Sequence, residues 1–360
     1  MRVDGLDAGP GVERPAPERA RRPATQGRNP PGPAGTPGQR VRASLVAGAS
    51  WLACRLPEGM LIGAAEAAGE AWYRLAPTRA AQARRNLGRV CAWADEHDLG
   101  SPAVRAAASD PRALERLVRS AFRHHARYYV EVARAPVVDG HYLRERMLIE
   151  TPDTVRAAFD GQRPAIFVGL HFGAIELPAV ILVEHGGTEA VAPMETIGDP
   201  ALQRWFVRTR GRVGIRIVGL REARRELLAA LRAGTPVGLV ADRDLTGGGI
   251  EVPFFGAPAP LPAGPALLVD ESGSPAFLVS VRRAGRGRYR GRLDPLPAPV
   301  GETRRARITA FLQAEAAAFE RAIVAAPDQW WACFFAVWPD LASDVTAGLP
   351  ATPGRTGAAA

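Results

Sequence analysis

The chain has 360 residues and a formal net charge of +9, and lysine is absent, so every fixed basic side chain is an arginine. That length holds one large domain or two small ones, and a hydrophobic share of 47% is that of a globular protein. Three cysteines (Cys54, Cys91 and Cys333) with no CxxC and no metal-ligand spacing exclude a disulfide framework and a zinc module, and fit a reduced compartment. The positive charge favours anionic partners: phosphates, nucleic acid or an acidic lipid surface.

In chain order, residues 1–40 are rich in Pro, Gly and Arg and poor in large apolar side chains. They cannot bury enough surface to offset chain entropy, so they are expected to be disordered. No apolar core follows the first charges, which argues against a signal peptide. A single folded domain is expected over 41–343. Its first part, 41–76, reads as two apolar helices, 43–54 and 58–75, joined at Leu56-Pro57. The first run is too short to span a bilayer, which takes roughly 20 apolar residues. Two readings stand side by side: a helical hairpin packed on the core, or a peripheral membrane anchor. For the anchor, Trp51, Trp72 and Tyr73 with Arg42, Arg55 and Arg74 would sit at headgroup level.

Residues 77–138 read as helical, with Pro136 as a terminator. From 139 to 343 short apolar strands (165–170, 189–192, 215–218, 237–241, 251–255, 276–282 and 289–293) alternate with helical segments (151–160, 174–184, 201–213, 221–232, 264–271 and 302–325). This alternation predicts an α/β fold with a mainly parallel central sheet flanked by helices. Residues 344–360 read as a second loose tail. No GxGxxG or P-loop occurs, so a nucleotide fold of those kinds has no support.

The chemistry concentrates in two segments. In the first, the apolar run 165–170 delivers His171 to a strand end, followed by Phe172-Gly173 and then Glu176. Open α/β sheets place ligands at that edge, and histidine is the side chain suited to taking a proton near neutral pH. A helix starting here would add unpaired backbone N–H groups. On one regular helix His171 and Glu176 would point about 140° apart, so Glu176 is badly placed to orient the imidazole. The second segment leaves the 237–241 strand as Asp242-Arg243-Asp244, turns through Gly247–Gly249 and continues as Glu251-Val-Pro-Phe-Phe-Gly256. Taken alone it is a polar hairpin; next to a strand-end histidine it is a candidate site.

These residues resemble a known family. His171-x4-Glu176 looks like the H-x4-D/E motif of membrane-associated glycerolipid and lipid A acyltransferases. The block from Asp242 through Glu251 and Gly256 to Pro262-Ala-Gly-Pro265 is similar to that of the actinobacterial phosphatidylinositol mannoside acyltransferases, within the lipid A biosynthesis acyltransferase superfamily. Arg84-Arg85-Asn86-Leu87 and the Trp330-Trp331…Trp338 stretch resemble its early and closing motifs, so the likeness covers about 43–340. It implies acyl transfer from a thioester, acyl-CoA as co-substrate, to a hydroxyl of a membrane glycolipid or phospholipid. The site would be the cytoplasmic face of the inner membrane, with an anionic membrane surface as partner and with no metal, no other cofactor and no nucleic acid. His171 would be the general base. A carboxylate would orient it, and the helix geometry favours Glu251 over Glu176 for that task. The resemblance also points to Glu195 and Arg210 in an acceptor pocket. Asp242 and Arg243 are expected to bind substrate, Arg243 through a phosphate of CoA or of the lipid headgroup; a structural ion pair of Arg243 with Asp242 or Asp244 stands beside that reading. The family's mannoside enzymes usually carry an aspartate at the fifth position, where this chain has Glu176; a lysophospholipid or another glycolipid therefore stays open as acceptor.

Overall fold

A computed structural model describes residues 35–342 except 162, 187, 188, 213 and 246. Most of the 1–40 segment, and the 344–360 tail, lie outside these described residues. The helix expected from 43 begins earlier: α1 runs Pro37–Ala53. Thr36 caps it, its hydroxyl accepting from the Gln39 N–H while the Gln39 side chain accepts from the Thr36 N–H, and Pro37 fixes the first turn. The stretch 37–40 is therefore helical rather than disordered, because a capping box stands where composition alone showed only Pro and Gly.

Helix α2 (Glu58–Leu75) lies against α5 (Pro111–Arg134), with α3 (Pro77–Glu96) and the short α4 (Pro102–Ala106) beside them. The contact of α2 with α5 is close enough to need Gly69, where an added Cβ would come within 2.7 Å of Arg123 Cα and the Phe122 carbonyl. After α6 (Gly140–Arg146) the chain enters the α/β part: β1 (Met147–Ile149), α7 (Pro152–Asp160), β2 (Ile166–Gly169), α8 (Leu177–Gly186), β3 (Ala190–Met194), α9 (Pro200–Arg212), β4 (Ile215–Gly219), α10 (Ala223–Arg232) and β5 (Val237–Val240). A hairpin of β6 (Ile250–Phe254) and β7 (Ala257–Leu261) follows, then α11 (Gly264–Ser272), β8 (Ala276–Arg283), β9 (Tyr289–Leu296) and α12 (Arg304–Val324).

Seven strands form one sheet in the order β1-β9-β8-β2-β5-β3-β4. Every pairing in it is parallel except β8 with β9. All four residues of β2 are buried, as a parallel strand covered on both faces requires. One face, with Ile166, Val168, Val237 and Leu278, packs against the helical layer of α3, α10, α11 and α12. The other, with Phe167, Phe277, Ala190, Ile215 and Leu293, meets α7 and α8. The β6–β7 hairpin is a separate two-stranded sheet packed on α12. Thus the 251–255 strand expected from the sequence does not join the central sheet. β1 and β7 were not anticipated: β1 has three residues, and prolines interrupt β7.

Candidate active site

His171 sits just beyond β2, and Asp242 just beyond β5, its parallel neighbour in register Gly169 with Val240. Two adjacent parallel strands therefore bring both side chains to one edge of the sheet. The helix expected to start directly after His171 begins at Leu177, leaving an irregular turn from Leu170 to Glu176. That turn is held by its surroundings. Gly173 N–H donates to the Gln329 carbonyl, Ala174 N–H to the Val281 carbonyl, and Trp331 N–H to the His171 carbonyl. Gly173 has φ +54, and an added Cβ would fall 1.9 Å from the Val281 oxygen, so only glycine fits.

Asp242 is fully buried, and both of its oxygens are engaged. Oδ1 lies 2.7 Å from His171 Nδ1; Oδ2 accepts from the His171 backbone N–H at 3.0 Å and from the Trp330 indole N–H at 2.8 Å. Burial disfavours its charge, but the imidazole, the backbone N–H and the indole outweigh that and hold the carboxyl below the ordinary aspartate range. A carboxylate on Nδ1 fixes the proton there and leaves Nε2 with its lone pair. Trp331 meets the imidazole edge-on at 4.4 Å between ring centres, and also neighbours the buried His125 ring at 5.1 Å and the Tyr128 ring at 5.2 Å.

His171 opens on a cavity of about 440 Å³ that runs under the α7–α8 face of the sheet. Its floor crosses all seven strands, through Ile149 of β1, Leu293 and Gly291 of β9, Val279 and Val281 of β8, Phe167 and Gly169 of β2, Gly238 of β5, Ala190 and Ala192 of β3, and Ile215 and Ile217 of β4. Six inter-strand steps of about 4.8 Å make it ~29 Å wide, enough for an extended long-chain acyl group. Three floor positions are glycine. At Gly169 and Gly238 an added Cβ would meet nothing closer than 3.7 Å, so the packing does not demand glycine there; the open channel does.

Charged side chains gather at the cavity's polar end. Glu176 and Arg210 form an ion pair, Nη2 to Oε1 at 2.8 Å and Nε to Oε2 at 3.4 Å, and both line the cavity, as does the exposed Glu195. The pair ties the approach to α8 to α9. Arg243 is half-buried, with its guanidinium carbon 3.7 Å from the centre of the Phe335 ring. Among the described residues no three His, Cys, Asp or Glu are grouped so as to hold a metal ion.

With this geometry in view, the likeness to known proteins is specific. The family description "Bacterial lipid A biosynthesis acyltransferase" matches residues 37–333. The chain belongs to that family. It is an acyltransferase. Among its relatives is a phosphatidylinositol mannoside acyltransferase of Mycolicibacterium smegmatis, 32% identical over 69% of this chain and 76% of the relative. A protein of the same name from Mycobacterium tuberculosis is 30% identical over 78% of this chain and 84% of its own length.

Set against the expectations for this acyltransferase, the carboxylate on His171 is neither Glu251 nor Glu176. Glu251 stands exposed on β6, in the separate hairpin, opposite Pro260. Glu176 is taken by Arg210. Asp242, expected in the substrate pocket, is instead the buried partner of the imidazole. Neither His171 nor Glu176 lies on α8, so the helix spacing does not apply to them; Asp242 was passed over because strand pairing, not chain distance, sets which residue faces His171. Tyr128 of α5 lines the cavity with no motif to announce it. The floor glycines did carry a signal: glycine inside an apolar strand marks a close approach.

Proposed function

We propose that this acyltransferase moves a long acyl chain from acyl-CoA to a hydroxyl of a glycolipid of the phosphatidylinositol mannoside class, with His171 as general base. The observation that carries the reading is the His171–Asp242 pair opening on a glycine-floored apolar cavity. His171 Nε2 takes the proton of the acceptor hydroxyl as its oxygen attacks the thioester carbonyl. The tetrahedral intermediate collapses, the C–S bond breaks, and the imidazolium returns the proton to the departing thiolate. Asp242 keeps the tautomer and offsets the imidazolium charge. The names of the relatives support the mannoside acceptor, and Glu195 and Arg210 supply polar contacts for sugar hydroxyls at the cavity's wet end. The test is transfer of labelled palmitate from palmitoyl-CoA to a panel of phosphatidylinositol mannosides, phosphatidylinositol and lysophospholipids. Labelled mannoside, abolished by His171→Ala, is the expected result; label on a lysophospholipid alone would replace the acceptor, and label unaffected by His171→Ala would remove the base.

The acceptor lipid requires a membrane surface, and we place the protein as a peripheral one on the cytoplasmic face of the inner membrane. Among the described residues no helix is long and apolar enough to cross a membrane. Helix α2 turns Ile62, Ala65 and Gly69 inward, while α1 leaves Leu45 68% and Trp51 58% exposed, and Leu75 ends α2 at 82%. The Arg55 guanidinium lies 3.7 Å from the centre of the Trp51 ring. Exposed apolar side chains with arginines beside them suit the headgroup boundary of an anionic leaflet.

A further inference from the structure

Two arginines flank one ring next to the buried partner of His171. Arg243 follows Asp242 directly, and its guanidinium carbon lies 3.7 Å from the centre of the Phe335 ring; that of Arg79, in the first turn of α3, lies 5.5 Å from the same centre. Among the described residues neither guanidinium makes a hydrogen bond or an ion pair. The contrast within α3 is direct. Arg84 pairs with Glu115, Arg85 donates to Gln82 and the Leu341 carbonyl, and Arg89 pairs with Asp340. Of the nearby anions, Asp242 already accepts from His171 and Trp330, and Glu195, the charge that attracts Arg243 most, stands exposed on the cavity wall with no hydrogen bond or ion pair to either arginine among the described residues. Burial disfavours the charge of Arg243; Glu195 and Asp242 oppose that, and Arg79 adds to it as a like charge.

A half-buried guanidinium held by a ring face and facing a second cation, with its donors unused, is an anion site in waiting. The ring holds the cation electrostatically, and the planar fork presents paired donors that match phosphate oxygens. We propose that Arg79, Phe335 and Arg243 form a phosphate-binding clamp beside His171 for a substrate of the transfer reaction. The assignment of a substrate rests on the acyl-transfer reading above; the binding of phosphate does not. Two phosphates meet the chemistry: the diphosphate of CoA, and the phosphodiester of an inositol lipid.

Isothermal titration of the full-length protein separates them, using CoA, pantetheine (the same thiol arm without phosphate) and glycerophosphoinositol. The variants are Arg79→Gln, Arg243→Gln, the double variant and Arg243→Lys, with thermal melting to show that each is folded. The double variant is expected to bind one of the two phosphate probes at least tenfold more weakly, with pantetheine unchanged and Arg243→Lys in between. Loss for CoA assigns the clamp to the donor, and loss for glycerophosphoinositol to the acceptor. If a folded double variant binds both phosphate probes as the wild type does, or the wild type binds neither, the clamp is wrong. A clamp that binds phosphate in a protein that transfers no acyl group would leave this inference standing and overturn the catalytic one.

Discussion

At the scale of single residues, the site turns on how Asp242 is held. A buried carboxylate keeps its charge only when donors satisfy it, and here the imidazole, a backbone N–H and the Trp330 indole do so. Trp330→Phe keeps the ring bulk and removes one donor. A hydrogen bond to a charged group is worth about 1.5–3 kcal/mol, so this variant should lose roughly tenfold or more in acyl transfer and melt at a lower temperature than wild type. Steady-state rates with the melting curve check it; a wild-type rate would mean the indole does not hold the carboxylate. Exchanging Arg210 for Gln should act differently. It strands Glu176 at the cavity's polar end and is expected to raise the acceptor KM more than it lowers kcat, whereas a purely structural role would lower stability and leave KM alone. His171 was legible in the sequence because an apolar run ends on it. Its partner was not, since β2 and β5 are joined only by parallel pairing across some seventy residues of chain.

Among the elements, the strands of the central sheet and most of the helices followed from hydrophobic periodicity. Those that did not were short, like β1, or rich in proline, like β7, where local pattern is too brief to read. The glycine floor makes its own prediction. Gly238→Leu would project a side chain into the cavity from β5 at a position where the backbone accepts one. It is expected to cut transfer of palmitoyl at least tenfold while sparing a short acyl donor such as butyryl-CoA; equal loss for both donors would mean that the acyl chain lies elsewhere. Helix α5 carries a pH dependence. His125 is enclosed by Trp72, Tyr129, Trp331 and Phe334, and burial pushes its imidazole down to about 3, with the charges of Arg79, Arg283 and His171 acting the same way. Below about 6.5 the unfolded chain takes a proton there that the folded chain refuses, so this contribution to stability is complete above that pH and is lost as pH falls toward 3. Denaturant melts of His125→Phe should show a flatter acid limb than wild type between pH 6 and 4; an identical slope would show that His125 does not titrate in this way.

For the whole molecule, the architecture puts the reactive edge, the cavity and the α1–α2 surface on one chain in which no helix among the described residues is long and apolar enough to cross a membrane. The composition suggested anionic partners, but it could not tell a lipid surface from a phosphate site. The two proposals rest on where arginines without ion pairs and exposed apolar residues fall in space. If α1 is the contact surface, Leu45→Glu with Trp51→Glu should reduce sedimentation with vesicles of phosphatidylglycerol several-fold and leave the melting temperature near wild type, because both side chains are more than half exposed. Undiminished sedimentation would place the membrane contact on another face.

The central claim is that Asp242, and not a carboxylate of the hairpin, makes His171 a base. The most direct measurement compares the initial rate of palmitate transfer from palmitoyl-CoA to a phosphatidylinositol mannoside for Asp242→Asn and Glu251→Gln, both folded by thermal melting. The account predicts a loss of about 10²-fold or more for Asp242→Asn and a rate near wild type for Glu251→Gln. A crippled Glu251→Gln beside an active Asp242→Asn would contradict it.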